Sequence, residues 1–130
     1  MLLVTPHKHL LAKRRNVQPR DLKGYPLVNA PEGFTRPEVA QTLDKLGIFG
    51  VQPRHVEAVT TAVIRHYVAM GFDIGLVLGR PSRSSRPSLH ECNMSRYFGN
   101  AQICLIWRKG ALQSAHATAF AETVRTLLNR

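Results

Sequence analysis

Acidic side chains are scarce in this chain. Asp and Glu total 8 of 130 residues against 18 Lys and Arg, for a formal charge of +10. The acids (Asp21, Glu32, Glu38, Asp44, Glu57, Asp73, Glu91 and Glu122) stand singly and far apart. No carboxylate pair is therefore set up for general acid–base work. Cysteine is scarcer still. Cys92 and Cys104 make no disulfide framework and show no metal-ligand spacing, so they read as two free thiols. No apolar run reaches the roughly 18–20 residues that a bilayer span needs. The nearest candidate, 56–78, is interrupted by Glu57, Arg65, His66 and Asp73. The opening Met1–Val4 is too short for a signal-peptide core, so a cytoplasmic location with no membrane partner is expected. A phosphate-binding loop and a dinucleotide fingerprint are missing, and the Ser-rich run at 82–88 lacks a nucleophile elbow. These absences argue against a hydrolase or transferase. The expectation is a non-enzymatic protein with no catalytic residues, no metal and no cofactor.

What is present suits a packed soluble domain: hydrophobic residues make up 44% and charged residues 20%. The length is enough for one modest domain or one lobe of a larger one. The positive charge gathers in two places. Lys8, Lys13, Arg14, Arg15, Arg20 and Lys23 lie in the first 23 residues, and Arg80, Arg83 and Arg86 lie in a Ser/Pro-rich segment. Neither group is interleaved with aromatics as a single-strand binder requires. A solvated basic surface, or one facing anionic ligands, fits better. A stand-alone basic nucleic-acid-binding module is the alternative. His7 and His9 have no third ligand nearby, and His66 and Tyr67 read as half-buried structural residues on a helix.

Periodicity predicts alternating strands and helices. Strands are expected at 2–5, 26–29, 54–59, 74–78 and 102–107. Between them, 7–24 reads as basic and irregular, with a helical turn at 19–22. A helix is predicted after a Thr35/Glu38 capping box, with Val39, Leu43 and Leu46 as its apolar stripe and Gly47 as its stop. A second helix starts at Thr60 or Thr61, buries Ile64, Tyr67 and Val68, and ends at Gly71. Residues 79–99 read as extended and linker-like because of Pro81, Pro87, Gly99 and several serines. Ser114 caps a last helix with Ala117, Phe120, Ala121, Val124, Leu127 and Leu128 on its apolar side. Such alternation predicts an α/β fold with a mainly parallel sheet.

In open sheets of this kind, ligands bind outside the carboxyl ends of strands, beside helix N-termini. Two places qualify. Asn29, Thr35 and Arg36 follow the strand at 26–29, and Thr60 and Thr61 start the next helix. Free N–H groups and Arg36 there suit a carboxylate or other small anion. Plain helix capping, with Arg36 merely solvated, is the alternative.

Three segments carry a family resemblance. His9-Leu10-Leu11-Ala12 followed by Asp21-Leu22-Lys23-Gly24-Tyr25-Pro26-Leu27-Val28 resembles a stretch of the sensor domain of LysR-type transcriptional regulators. Val56-Glu57-Ala58-Val59-Thr60-Thr61, with Tyr67-Val68-Ala69-Met70-Gly71-Phe72-Asp73-Ile74-Gly75-Leu76-Val77, resembles their glycine-rich central element. Ile103-Cys104-Leu105-Ile106-Trp107-Arg108-Lys109-Gly110 and the helix behind it resemble their closing strand and helix. The pieces run in the family's order over nearly the whole chain. Two positions depart: Leu10 stands where the family usually has Pro, and Asp73 where Gly is usual. Asp tolerates positive φ better than most residues if that position needs it.

The resemblance implies an α/β fold of the type II periplasmic-binding-protein kind, in which two lobes enclose an effector cleft. On that pattern, 1–12 is a first crossover segment, 13–78 the second lobe, 79–94 a second crossover, and 95–130 the returning strand and C-terminal helix of the first lobe. A DNA-binding helix-turn-helix and the start of the first lobe precede these segments in the family, so the chain reads as N-terminally shortened. A small anionic effector, self-association, and DNA contact only through the missing N-terminal domain are the implied partners. A periplasmic-type solute-binding lobe is disfavoured by the lack of a visible export signal.

Overall fold

The computed structural model describes residues 1–48, 56–82, 89–102 and 104–128. Among the described residues, five strands form one mixed sheet in the order β3-β2-β4-β1-β5. They are β1 (Leu2–Pro6), β2 (Leu27–Asn29), β3 (Val56–Glu57), β4 (Ile74–Val77) and β5 (Leu89–Asn93). β2 runs parallel to both β3 and β4, with Leu27 beside Ile74 and Val28 beside Val56. β1 lies antiparallel to β4 on one side and to β5 on the other, Leu3 meeting Leu76 and Cys92. The parallel alternation expected from the sequence thus holds for β2, β3 and β4, while β1 makes the sheet mixed.

The central strands are buried on both faces, which explains their nearly unbroken apolar runs. Strand alternation divides these side chains between two cores. Leu3, Leu27, Ile74 and Leu76 pack on one face with Leu11, Leu22, Val39, Leu43, Ile48, Met94 and Phe98. Leu2, Val4, Val28 and Val77 pack on the other with Ala58, Ile64, Val68 and Leu89. α1 (Pro37–Lys45) therefore covers the first face and α2 (Thr61–Ala69) the second, making a three-layer arrangement. Both helices end in the same motif. Gly47 (φ 64°) and Gly71 (φ 107°) take left-handed backbone. The next N–H, of Ile48 or Phe72, returns to the carbonyl of Leu43 or Tyr67. At Gly75 in β4 the reason for glycine is space: a Cβ would lie 2.8–3.0 Å from methyl groups of Ile64, Val68 and Val4. α2 sits directly on the sheet there.

Several expectations fail in detail. The Thr35/Glu38 capping box does not form: Arg36 is the N-cap of α1 and makes no side-chain cap. The Thr35 hydroxyl turns back to the carbonyls of Ala30 and Pro31 instead. Residues 79–99 are not linker throughout. Within them β5 supplies an edge of the sheet, and the short α3 (Ser95–Phe98) buries Phe98. The Pro and Ser punctuation that suggested a linker falls largely at 83–88, which lies outside the described residues, as do 54 and 55 of the strand expected at 54–59. The strand expected at 102–107 is absent among its described residues, 102 and 104–107. Strand backbone needs a ladder partner, and no described strand pairs with this segment; Ile106 is 91% exposed. α4 (Ala115–Leu128) forms as expected, capped by the Ser114 hydroxyl. Phe120 and Leu127 on its apolar side are each 60% exposed.

The basic segment at 8–23 is anchored by Leu11, Val17 and Leu22, all buried. Two 3-10 turns, Leu10–Lys13 and Pro19–Leu22, carry it. Its lone carboxylate, Asp21, accepts from the Gln18 N–H and from Arg14. His9 caps the first turn, its Nδ1 accepting from the Leu11 N–H.

Candidate functional site

A hollow of about 140 Å3 opens at the carboxyl ends of β2 and β4. The end of β2 supplies Asn29 and Ala30, and the loop into α1 supplies Phe34, Thr35 and Arg36. The end of β4 supplies Leu76, Val77 and Leu78, and the approach to α2 supplies Val59 and Thr61. Val39 and Leu43 of α1, Ile64 of α2 and Met1 complete it. Most of the lining is aliphatic. Arg36 is the one charged side chain among the lining residues.

The five expected residues are not equivalent here. Asn29, Thr35, Arg36 and Thr61 line this one hollow, and Thr60 does not. Thr60 is exposed and caps α2, its hydroxyl accepting from the Val63 N–H at 3.3 Å. Thr61 lies one residue further and its hydroxyl faces the Leu78 carbonyl at 3.4 Å, a long contact. Thr35 donates to Ala30 O at 2.8 Å, which leaves its oxygen able to accept only. Asn29 is 2% exposed. Its Nδ2 donates to Ala30 O at 2.7 Å, while its Oδ1 has no protein partner.

Arg36 is held by a part of the chain far away in sequence. Its Nη1 donates to Asn100 O at 2.9 Å, and its Nη2 donates to Phe98 O. These carbonyls end α3 and the turn behind it. The guanidinium is therefore fixed, and its Nε stays buried without a protein partner. The Met1 ammonium is pushed below its ordinary pKa, first by burial and then by the charge of Arg36. The sequence carried no signal for the Phe98 and Asn100 contacts, because backbone carbonyls have no side-chain signature. Val39, Leu43 and Ile64 were visible as helix stripes, but only as core.

Asp73 does not line the hollow. It precedes β4, at the opposite end of the sheet, and its carboxylate stands 3.8 Å from His9 Nε2. Its φ is not positive; Gly71 takes that conformation instead.

A family model supplies the decisive comparison: the LysR substrate binding domain matches residues 1–129. The chain belongs to this family. Solved structures agree on the fold. The cofactor-binding domain of the Cbl transcriptional regulator superposes with a TM-score of 0.63 at 23% identity, over 93% of this chain and 53% of that one. HinK, a LysR family transcriptional regulator from Pseudomonas aeruginosa, gives a TM-score of 0.62 at 19% identity, over 98% of this chain and 44% of that one. The LysR substrate-binding chain described here therefore spans about half the length of these structures. Comparison with curated proteins gives no match. Among the described residues, no helix is long and apolar enough to cross a membrane, and no cluster of three His, Cys, Asp or Glu is placed to hold a metal ion.

Proposed function

We propose that this LysR substrate-binding chain is the effector-sensing part of a bacterial transcriptional regulator, and that its hollow receives part of a small anion. The observation that carries the reading is the placement of Arg36, a fixed cation in a mostly aliphatic lining, at the strand ends where α/β sheets bind ligands. The hollow is smaller than the roughly 300–1,000 Å3 of a complete drug-sized site, as suits one wall of a cleft. On this reading, 13–78 is the second lobe, 1–12 and 79–94 are crossovers, and 95–130 belongs to the opposite lobe. Arg36 then bridges the lobes through its contacts with Phe98 and Asn100. An anion that draws on Arg36 would favour one lobe arrangement over another, and so shift a population of regulator states on DNA. DNA contact itself would come from a part of the regulator outside this stretch. The reading is of a cytoplasmic binding domain, not an enzyme, and the solved relatives bear the names of transcriptional regulators.

Titration of the 15N-labelled chain with small carboxylates tests it. Amide shifts should concentrate at 29–36 and 59–61, saturate, and weaken at least tenfold in Arg36→Gln. Shifts spread over the basic segment at 8–23 would show general anion attraction and sink the assignment.

A further inference from the structure

The positive charge of this chain is unevenly placed. Residues 8–23 hold Lys8, Lys13, Arg14, Arg15, Arg20 and Lys23 against one carboxylate, Asp21. Residues 24–79 hold more carboxylates than cations. Folding gathers the six cations on one surface. Leu11, Val17 and Leu22 are at most 2% exposed and pack in one core with Val39, Leu43 and Phe98. The side chains between them turn away from the sheet, and all six cations are exposed. Arg14 Nη1 donates to Asp21 Oδ1 at 2.9 Å, which ties the turn at Leu10–Lys13 to the turn at Pro19–Leu22. Arg20 and Lys23 thus come beside Lys13 and Arg15. α3 adds another cation: the Tyr97 hydroxyl donates to Asn16 Oδ1 at 3.3 Å, and exposed Arg96 lies 6.0 Å from the Tyr97 ring.

Little within the protein neutralises this array. Both oxygens of Asp21 are committed, one to Arg14 and one to the Gln18 N–H. Asp73 stands at one margin, beside His9. Apart from Arg14, none of these cations is ion-paired among the described residues. Exposed cations are worth little one at a time, so a single carboxylate gains little here. A polyanion meets the whole array and releases its condensed counterions. Arginine matches phosphate in particular, through its planar fork of donors. The three buried anchors hold the array in place, so little freedom is lost on binding. No aromatic side chain lies within 8–23 to stack on bases. Leu10 is its one exposed large apolar residue, too little for insertion into a lipid surface.

We infer that the surface built by 8–23 and Arg96 is a sequence-independent contact for the phosphate backbone of duplex DNA. It goes beyond the effector reading and does not use the hollow. Sequence readout stays with the part of the regulator outside this stretch, and this surface adds hold without choice.

The test is fluorescence anisotropy of two labelled duplexes of unrelated sequence, titrated with the natural chain at pH 7 over about 50–200 mM salt. Both duplexes should bind alike. Neutralising about five phosphates gives a slope of about −4.5 in log affinity against log salt, a loss of about a hundredfold or more over that range. The triple variant Arg15→Gln, Arg20→Gln, Lys23→Gln should bind at least about tenfold more weakly at the low-salt end and lower the slope by about 3. A matched variant, Arg108→Gln, Lys109→Gln, Arg125→Gln, removes the same charge elsewhere and should change affinity less than about threefold. All six substituted side chains are exposed, and the slope of the natural chain decides without either variant. A slope shallower than about −2, or no binding at low salt, overturns the inference. Equal losses in the two variants overturn it too, as attraction to net charge alone. Tighter binding to vesicles rich in anionic phospholipid than to duplex, at equal phosphate, would make this a lipid surface instead. A preference above about tenfold for one duplex overturns the sequence independence.

Discussion

Replacing Gly75 with alanine tests how closely α2 rests on the sheet. The added Cβ would meet Ile64 Cγ2 at 2.8 Å, Val68 Cγ2 at 2.9 Å and Val4 Cγ2 at 3.0 Å. Ordinary contact is about 3.5–4.0 Å, so each neighbour must yield by roughly 0.5 Å or more. None can yield cheaply. Ile64, Val68 and Val4 are buried, and their β-branched side chains are stiff at χ1. α2 must lift as a body, and overpacking of this kind costs about 1–3 kcal/mol. Alanine recovers about 0.4–1 kcal/mol by restricting the unfolded chain. The net expectation is a loss of about 1–2 kcal/mol. With a urea slope of about 1–3 kcal/mol/M, the unfolding midpoint should fall by about 0.5–1 M at unchanged slope. Gly33→Ala is the control, because a Cβ there meets nothing within 4 Å; its stability should stay within about 0.5 kcal/mol of the natural chain. An unchanged or raised midpoint for Gly75→Ala would refute the seating of α2 on β4.

Other consequences are open to measurement. Glu91 accepts from Arg65 at 2.5 Å and from the Ser82 N–H at 2.7 Å. Burial pushes its pKa up, but these bonds outweigh it, so the carboxyl titrates below its ordinary value. Glu91→Gln should destabilise at pH 7 by about 1–2 kcal/mol, and the difference should vanish as acid below about pH 4.5 protonates the natural carboxylate; a difference that persists at pH 2 would contradict the assignment. His9 titrates below its ordinary value because burial outweighs the pull of Asp73. The unfolded chain then holds more protons, so stability should fall as pH drops below about 6.5. His9→Asn, which keeps a capping side chain, should flatten that slope, and an identical pH profile would rule His9 out. The Cys92 thiol is pushed up by burial, while Cys104 is exposed. Iodoacetamide should modify Cys104 first, as peptide mapping at short times would show; equal rates would mean that β5 does not shelter Cys92. Phe120, Leu127 and Leu128 leave an apolar face on α4 exposed, so sedimentation at micromolar concentration should show self-association. A clean monomer with α4 protected from proteolysis would show that the chain covers this face itself.

Much of the architecture was legible because it is local. α1 and α2 announce themselves through a 3.6-residue apolar period, and Gly47 and Gly71 stop them through a backbone conformation that glycine adopts at no steric cost. Buried strands show as short apolar runs, and the ordered family segments follow from both. The sequence by itself thus determined the fold class, the family, the scarcity of acid–base chemistry, and the neighbourhood of Asn29, Thr35, Arg36 and Thr61. Tertiary structure decided what depends on partners distant in the chain. It made β5 a strand by setting it beside β1, and left 104–107 without strand form, no described strand pairing with it. It turned Thr35 away from capping toward Ala30 O and left Thr60 outside the hollow while its neighbour entered. It also spent two of the Arg36 nitrogens on carbonyls more than 60 residues away, leaving Nε buried and unpartnered. Side-chain type sets which hydrogen bonds a residue can make. Only the folded chain sets which of them remain unmade, as at Asn29 Oδ1 and Arg36 Nε.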